Sequence, residues 1–201
     1  TRLQIWLIGY TTSGVTFRDN GLDVTPASTG SWLDKDISDD VPVGTLGVIF
    51  EVRSTTVYYE AFGLRVKGST DARIWNTRYH NLFGAIVGVN GDRIFQIYTG
   101  HQLVHAFVVG YITDGVTLYT NATDRSLGSA DSYINLPALP EDAIMGFYES
   151  GSTLTYYYTF RKKGDTNDIY QWGSKHNWSF VACDSNGVVQ AKVENTGWRI
   201  F

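Results

Sequence analysis

The sequence predicts an all-β protein of two tandem, internally duplicated antiparallel β-sandwich domains, jelly-roll-like, over residues 1–100 and 101–201. Three observations carry this expectation. The first is repetition: Gly9-Tyr10, Thr12, Gly14-Val15-Thr16, Asn20 and Asp23 reappear as Gly110-Tyr111, Thr113, Gly115-Val116-Thr117, Asn121 and Asp124, displaced by 101 positions (Gly9 to Gly110). Further on, Arg65, Lys67-Gly68, Thr70, His80-Asn81 and Asn90-Gly91 return as Arg161, Lys163-Gly164, Thr166, His176-Asn177 and Asn186-Gly187, displaced by 96 (Arg65 to Arg161). A few residues are therefore lost between Trp32/Tyr133 and Arg65/Arg161, as loops allow. The second is composition: 21 glycines and 6 tryptophans against one methionine give the turn-rich, aromatic balance of an all-β chain. The third is strict alternation bounded by turn residues.

Each copy opens with a strand, residues 3–10 and 104–111, followed after a short turn by Gly14-Val15-Thr16-Phe17 and Gly115-Val116-Thr117-Leu118. Residues 47–52 and 146–150 form the next pair, then 57–67 and 154–163, each ending at a Lys-Gly turn, then 74–75 and 169–172. Residues 82–89 and 178–185 lead into Asn90-Gly91 and Asn186-Gly187, the dipeptide that best accepts a two-residue hairpin turn. The partner strands follow at 92–98, with Phe95 and Ile97 inward, and at Val189, Ala191 and Val193, alternating with Gln190, Lys192 and Glu194. The first copy runs into the second through Thr99-Gly100 with no flexible linker, as one extended stretch to Val109, so the domains are expected to be close-coupled.

Copy two closes on Thr196-Gly197-Trp198-Arg199-Ile200-Phe201 as if a further strand were expected. Leu3, Ile5, Trp6 and Leu7 with Trp198 and Ile200 form the expected assembly edge. The N-terminal strand is expected to pair near the C-terminal one, within one chain or with a neighbouring subunit, because apolar edges are normally covered. The first residue is Thr1 and no basic-then-apolar leader precedes the first strand, so the chain reads as processed or as part of something longer.

No catalytic, cofactor-binding or metal-binding residue is expected. Nucleophile elbows, His-Glu-x-x-His and phosphate-cradling loops are missing from the sequence. His101 and His105, on a strand, stand about 13 Å apart and share no ligand. His80 and His176 occupy matching places and read as fold residues. The acidic run Asp34-Lys35-Asp36-Ile37-Ser38-Asp39-Asp40 could offer oxygens to a hard cation, yet its counterpart Asn135-Leu136-Pro137-Ala138 has lost the acids, which favours a solvated loop. Glu51 and Glu149 read as exposed strand residues. Cys183 reads as a small buried strand residue that forms no internal disulfide. Tyr58-Tyr59 and Tyr156-Tyr157-Tyr158, in matching strands, read first as cross-strand pairs and second as rings that could stack on sugars or a subunit.

Net charge is -4 and the only basic triplet is Arg161-Lys162-Lys163, which excludes the basic stripe of a nucleic-acid binder. No apolar run approaches a membrane span.

The phrase Gly63-Leu64-Arg65-Val66-Lys67-Gly68-Ser69-Thr70-Asp71, its counterpart Phe160-Arg161-Lys162-Lys163-Gly164-Asp165-Thr166, and the later Asn-Gly pairs resemble tandem β-sandwich repeats of uncharacterised phage and prokaryotic surface proteins. The resemblance implies a virion or extracellular structural role, with copies of the chain or other virion or surface proteins as partners. A non-enzymatic capsid, decoration or fibre component is the leading expectation. A carbohydrate-binding module that takes glycans is the alternative, and a hydrolase with two convergent acids comes third.

Overall fold

The computed structural model describes residues 10–166, 168, 171–173 and 175–201, and all its regular structure is β. The first sandwich contains β1 (Val15–Asp23), β2 (Leu33–Asp36), β3 (Gly47–Ser54), β4 (Glu60–Val66), β5 (Trp75–Thr77), β6 (Asn81–Gly88), β7 (Ile94–Thr99) and β8 (Val104–Ile112). Its antiparallel sheets run β1-β8-β3-β6 and β2-β7-β4-β5. Eight strands in this order, alternating between the sheets except at the β4-β5 pair, make a jelly roll. The second sandwich contains β9 (Ile134–Asn135), β10 (Met145–Gly151), β11 (Tyr157–Lys162), β12 (Gln171–Trp172), β13 (His176–Ala182), β14 (Val189–Val193) and β15 (Arg199–Ile200). Its sheets run β12-β11-β14-β9 and β13-β10-β15, which repeats the first order strand for strand except that, among the described residues, no strand takes the place of β1.

Alternation explains which residues turn inward. Val104, Ala106 and Val108 of β8 are buried while His105, Phe107 and Val109 between them are half-buried, and Val189, Ala191 and Val193 of β14 are buried in the same way. The first core gathers Phe50, Val52, Phe62, Leu64, Phe95 and Ile97, with Phe50 and Phe95 edge-to-face at 5.1 Å. The second is more aromatic: Tyr158 stacks on the fully buried Trp198 at 4.4 Å, and Tyr148 stacks on Phe160 at 5.3 Å. One device recurs in both sandwiches, on the paired inner strands of matching sheets. Arg65 lies over the Trp32 ring at 4.2 Å and bonds Gln96 through Nε, and Arg161 lies over Tyr133 at 3.4 Å and bonds Gln190.

Several expectations need correction. The first sandwich takes β8, so the sheets do not part at residue 100. Nor do the Asn-Gly pairs make hairpins, because β6 and β7, like β13 and β14, belong to different sheets. The link is a four-residue corner: Asn90 Oδ1 accepts the Ile94 N–H and Arg93 takes a φ of 63°. At the second corner Asp184 accepts from Val188 and Gly187 takes the positive φ, 72°. The corners therefore match at a displacement of 94 (Asn90 to Asp184), not 96. His101 sits in a turn before β8, its Nδ1 accepting from the Leu103 N–H, so residues 94–109 are not one strand. Tyr58 and Tyr59 lie in a loop ahead of β4. Residues 115–118 form no strand, and Leu118 leans instead on Gly47 and Gly88 of the first sandwich.

Burial pushes the Tyr148 and Tyr158 phenols up to about 12. Each proton is held more tightly in the folded state than at the ordinary value of about 10. The stability they contribute is therefore complete below pH ~10 and lost as pH rises toward 12. Tyr158→Phe keeps the stack on Trp198 and removes one such group. Its alkaline unfolding, followed by near-UV circular dichroism with tyrosinate absorbance, should be shallower by one proton. An unchanged slope would contradict the assignment.

Candidate functional site

The outer face of β13 carries His176 and Trp178, since Val181 and its same-side neighbours turn inward. Across β10 stands Glu149, paired in register with Trp178. This face packs on the end of the first sandwich formed by β4, β5 and β6. Trp178 stacks on Phe83 at 5.5 Å with the rings 8° apart, meets Phe62 edge-on at 6.1 Å, and lies 4.3 Å from the His176 ring. Gly151 is required beside them, because a Cβ there would overlap the Trp75 indole.

A charged cluster fills the centre of the junction. Glu149 Oε1 lies 2.8 Å from His176 Nε2, and Glu149 Oε2 lies 2.8 Å from Arg73 Nε in a charge contact rather than an aligned hydrogen bond. The other side of Arg73 ion-pairs with Asp71 at 2.8 Å. Asp71 in turn accepts the Ala122 N–H, while Asn121 accepts from Thr70 N–H and Ser69 Oγ, so the segment after β8 is tied to the 68–71 turn. Each carboxylate thus has a partner, Arg73 for both and His176 for Glu149, where the junction largely shields them from water and an unpaired charge would be costly. A carboxylate touching an imidazole has the makings of an acid–base pair. Here His176 is fully buried under Trp178 and Phe62, and both Glu149 oxygens are engaged. Open hollows at Thr16, Arg18 and Asp40, and at Arg53, His80 and Leu82, lie away from the cluster. The arrangement fastens two domains.

The second feature is an edge. Glu149 exchanges backbone bonds with Phe201, and β15 pairs with Ser150 and Gly151. Beyond Glu149, β10 has no strand on that side among the described residues. Ile144 there is 82% exposed and Met145 40%. In the first sandwich the whole of β3 is paired with β8, and β8 with β1.

Of the expected assembly residues, Leu3, Ile5, Trp6 and Leu7 lie outside the described residues. Trp198 and Ile200 are fully buried in the second core, Ile200 also pairing with Ser150 at this edge. Glu149 is no exposed strand residue, unlike Glu51. His80 and His176 do not match in place: His80 is exposed ahead of β6, and the partner in register for His176 is Leu82 (Arg53↔Leu82, Gly151↔His176). In the acidic run, Lys67 bonds Asp34 and holds it below the usual carboxylate range, while Asp36 accepts from the Ser38 N–H. Among the described residues no three His, Cys, Asp or Glu side chains gather as a metal would need, and no helix is long and apolar enough to cross a membrane. Cys183 is buried, its Sγ directed at the Ala143 carbonyl.

Sequence reasoning passed over Arg73, Asp71 and Trp75. The signal that could have found the junction is departure from the repeat, since each copy turns a different side to the other. The chain matches no protein-family model, no curated protein and no solved structure.

Glu149 is the carboxylate shared by Arg73 and His176. Glu149→Ala should cost about 3 kcal/mol, since Arg73 keeps only Asp71 and the buried His176 loses its carboxylate, and combining it with Arg73→Met should recover part of that loss. Denaturant unfolding of the four-member cycle measures it. Additive losses would show that the two residues act independently.

Proposed function

We propose that this is a non-enzymatic structural protein of a virion or extracellular assembly, a capsid, decoration or fibre component that joins its partners through strand edges and aromatic surface. The observation that supports this reading most is the half-covered edge of β10 beside exposed Ile144 and Met145. Unpaired edges are templates for other chains, and a monomer normally blunts them with charge, proline or a covering loop. The sealing of the charged cluster agrees with a structural role, since it offers its carboxylates to no substrate. Jelly rolls serve in capsids and in lectins alike, so the fold does not choose between those uses.

One observation favours the alternative, a carbohydrate-binding module. Tyr58 is 73% exposed, and the half-exposed Tyr59 and Tyr79 meet edge-to-face at 5.6 Å with Lys175 over the Tyr59 ring. Such rings can lie against sugar faces.

Light scattering over a wide concentration range distinguishes the two. The structural reading expects association that grows with protein concentration without any added glycan. A strict monomer at every concentration, together with glycan-array binding lost on Tyr58→Ala with Tyr59→Ala, would replace it with the sugar-binding one.

A further inference from the structure

We propose that residues 7–11 of a second copy of this chain complete the open half of β10, adding the missing strand to the second sandwich. The inference rests on the assembly reading above and specifies its contact. Residues 1–9 lie outside the described residues, and the case is built from the edge and from the repeat.

Register identifies what is missing. Val24 N–H donates to the Ala106 carbonyl and Ala106 N–H to Thr25 Oγ1. In the second sandwich Arg125 N–H donates to Ile200 and Ile200 N–H to Ser126 Oγ. Ala106 pairs with Val52, and Ile200 with Ser150. Ile200 therefore stands where Ala106 stands and Phe201 where Phe107 stands. The positions held in β8 by Val108, Gly110, Tyr111 and Ile112 pair with Phe50, Ile49, Val48 and Gly47, whose counterparts on β10 are Tyr148, Phe147, Gly146 and Met145. No described strand fills those positions.

The chain carries a second version of that segment. Leu7, Ile8, Gly9 and Tyr10 repeat Val108, Val109, Gly110 and Tyr111 at the displacement of 101 that the Gly-Val-Thr turn shares. Glycine is the telling residue, because a Cβ at Gly110 would crowd the backbone of Thr16. Placed in the same register, Leu7 faces Tyr148 and Thr11 faces Met145. Residues 116–124 would then have the neighbour that makes their counterpart, β1, a strand.

The contact between the two halves points to another copy as donor. Glu149, Gly151, His176 and Trp178 of the second sandwich are covered by the first, but their counterparts Glu51, Arg53, Leu82 and Gly84 are all exposed, Leu82 at 61%. The contact is not reciprocated, and a head-to-tail relation carries the next strand outward to a neighbour instead of back into its own chain.

Cross-linking tests this directly. Thr11 and Met145 are exposed, so Thr11→Cys in one tagged preparation and Met145→Cys in another should leave the fold intact. Mixed and oxidised, the two should give a mixed disulfide between chains, and the double variant a ladder of oligomers on a non-reducing gel. Gly9→Val, at the position whose counterpart Gly110 leaves no room for a Cβ, should weaken association about tenfold. A double variant that cross-links within single chains overturns the second copy as donor. Association that persists with no mixed disulfide and no effect of Gly9→Val overturns strand donation while leaving the assembly reading in place. A strict monomer overturns both.

Discussion

Backbone hydrogen bonding across a sheet decides where this chain has strands. A strand inside a sheet needs a partner on each side, and β8 supplies both neighbours in the first sandwich, lying between β1 and β3. Where that partner is present, residues 15–23 are a strand; where, among the described residues, only β15 and Phe201 stand in its place, the related residues 116–124 are not. The two stretches share Gly-Val-Thr, an asparagine and an aspartate, so their local preferences are close. Pairing, rather than propensity, is what differs.

The junction between the sandwiches combines two interactions of unequal worth. Buried ion pairs recover little beyond the cost of leaving water, whereas stacked aromatic rings add to the area they bury. Trp178 on Phe83 and Phe62 is accordingly the adhesive, and the Arg73–Glu149–His176 cluster selects one orientation. It does so by making any other seating expensive, since a shift would separate a buried carboxylate from its cation. Asp71 extends the effect to the chain leaving β8 through the Ala122 N–H.

Much of this fold was legible in the sequence. Strands β3, β7, β8 and β14 follow alternation closely, because each has one face in a core and one more open. The corners were misread for a physical reason: Asn90-Gly91 and Asn186-Gly187 look alike, yet the bonds that turn the chain come from Asn90 and Asp184, with the left-handed residue at Arg93 and Gly187. Spelling followed one displacement and geometry another. The junction was harder to foresee. Glu149 and Glu51 hold the same strand position, and only what the other sandwich brings against it makes one buried and the other exposed. Trp178 gave a hint by standing out from its surroundings, but Arg73 acquires its partners through contacts that no local pattern encodes.

The unreciprocated contact also gives the molecule polarity. The first sandwich shows a bare outer sheet face with Glu51, Arg53 and Leu82, whereas the second covers the matching face and shows an exposed apolar rim at Ile144 and Met145. In the head-to-tail assembly proposed above, the two terminal surfaces would differ in chemistry, so material could be added or capped at one independently of the other, and growth would have a direction.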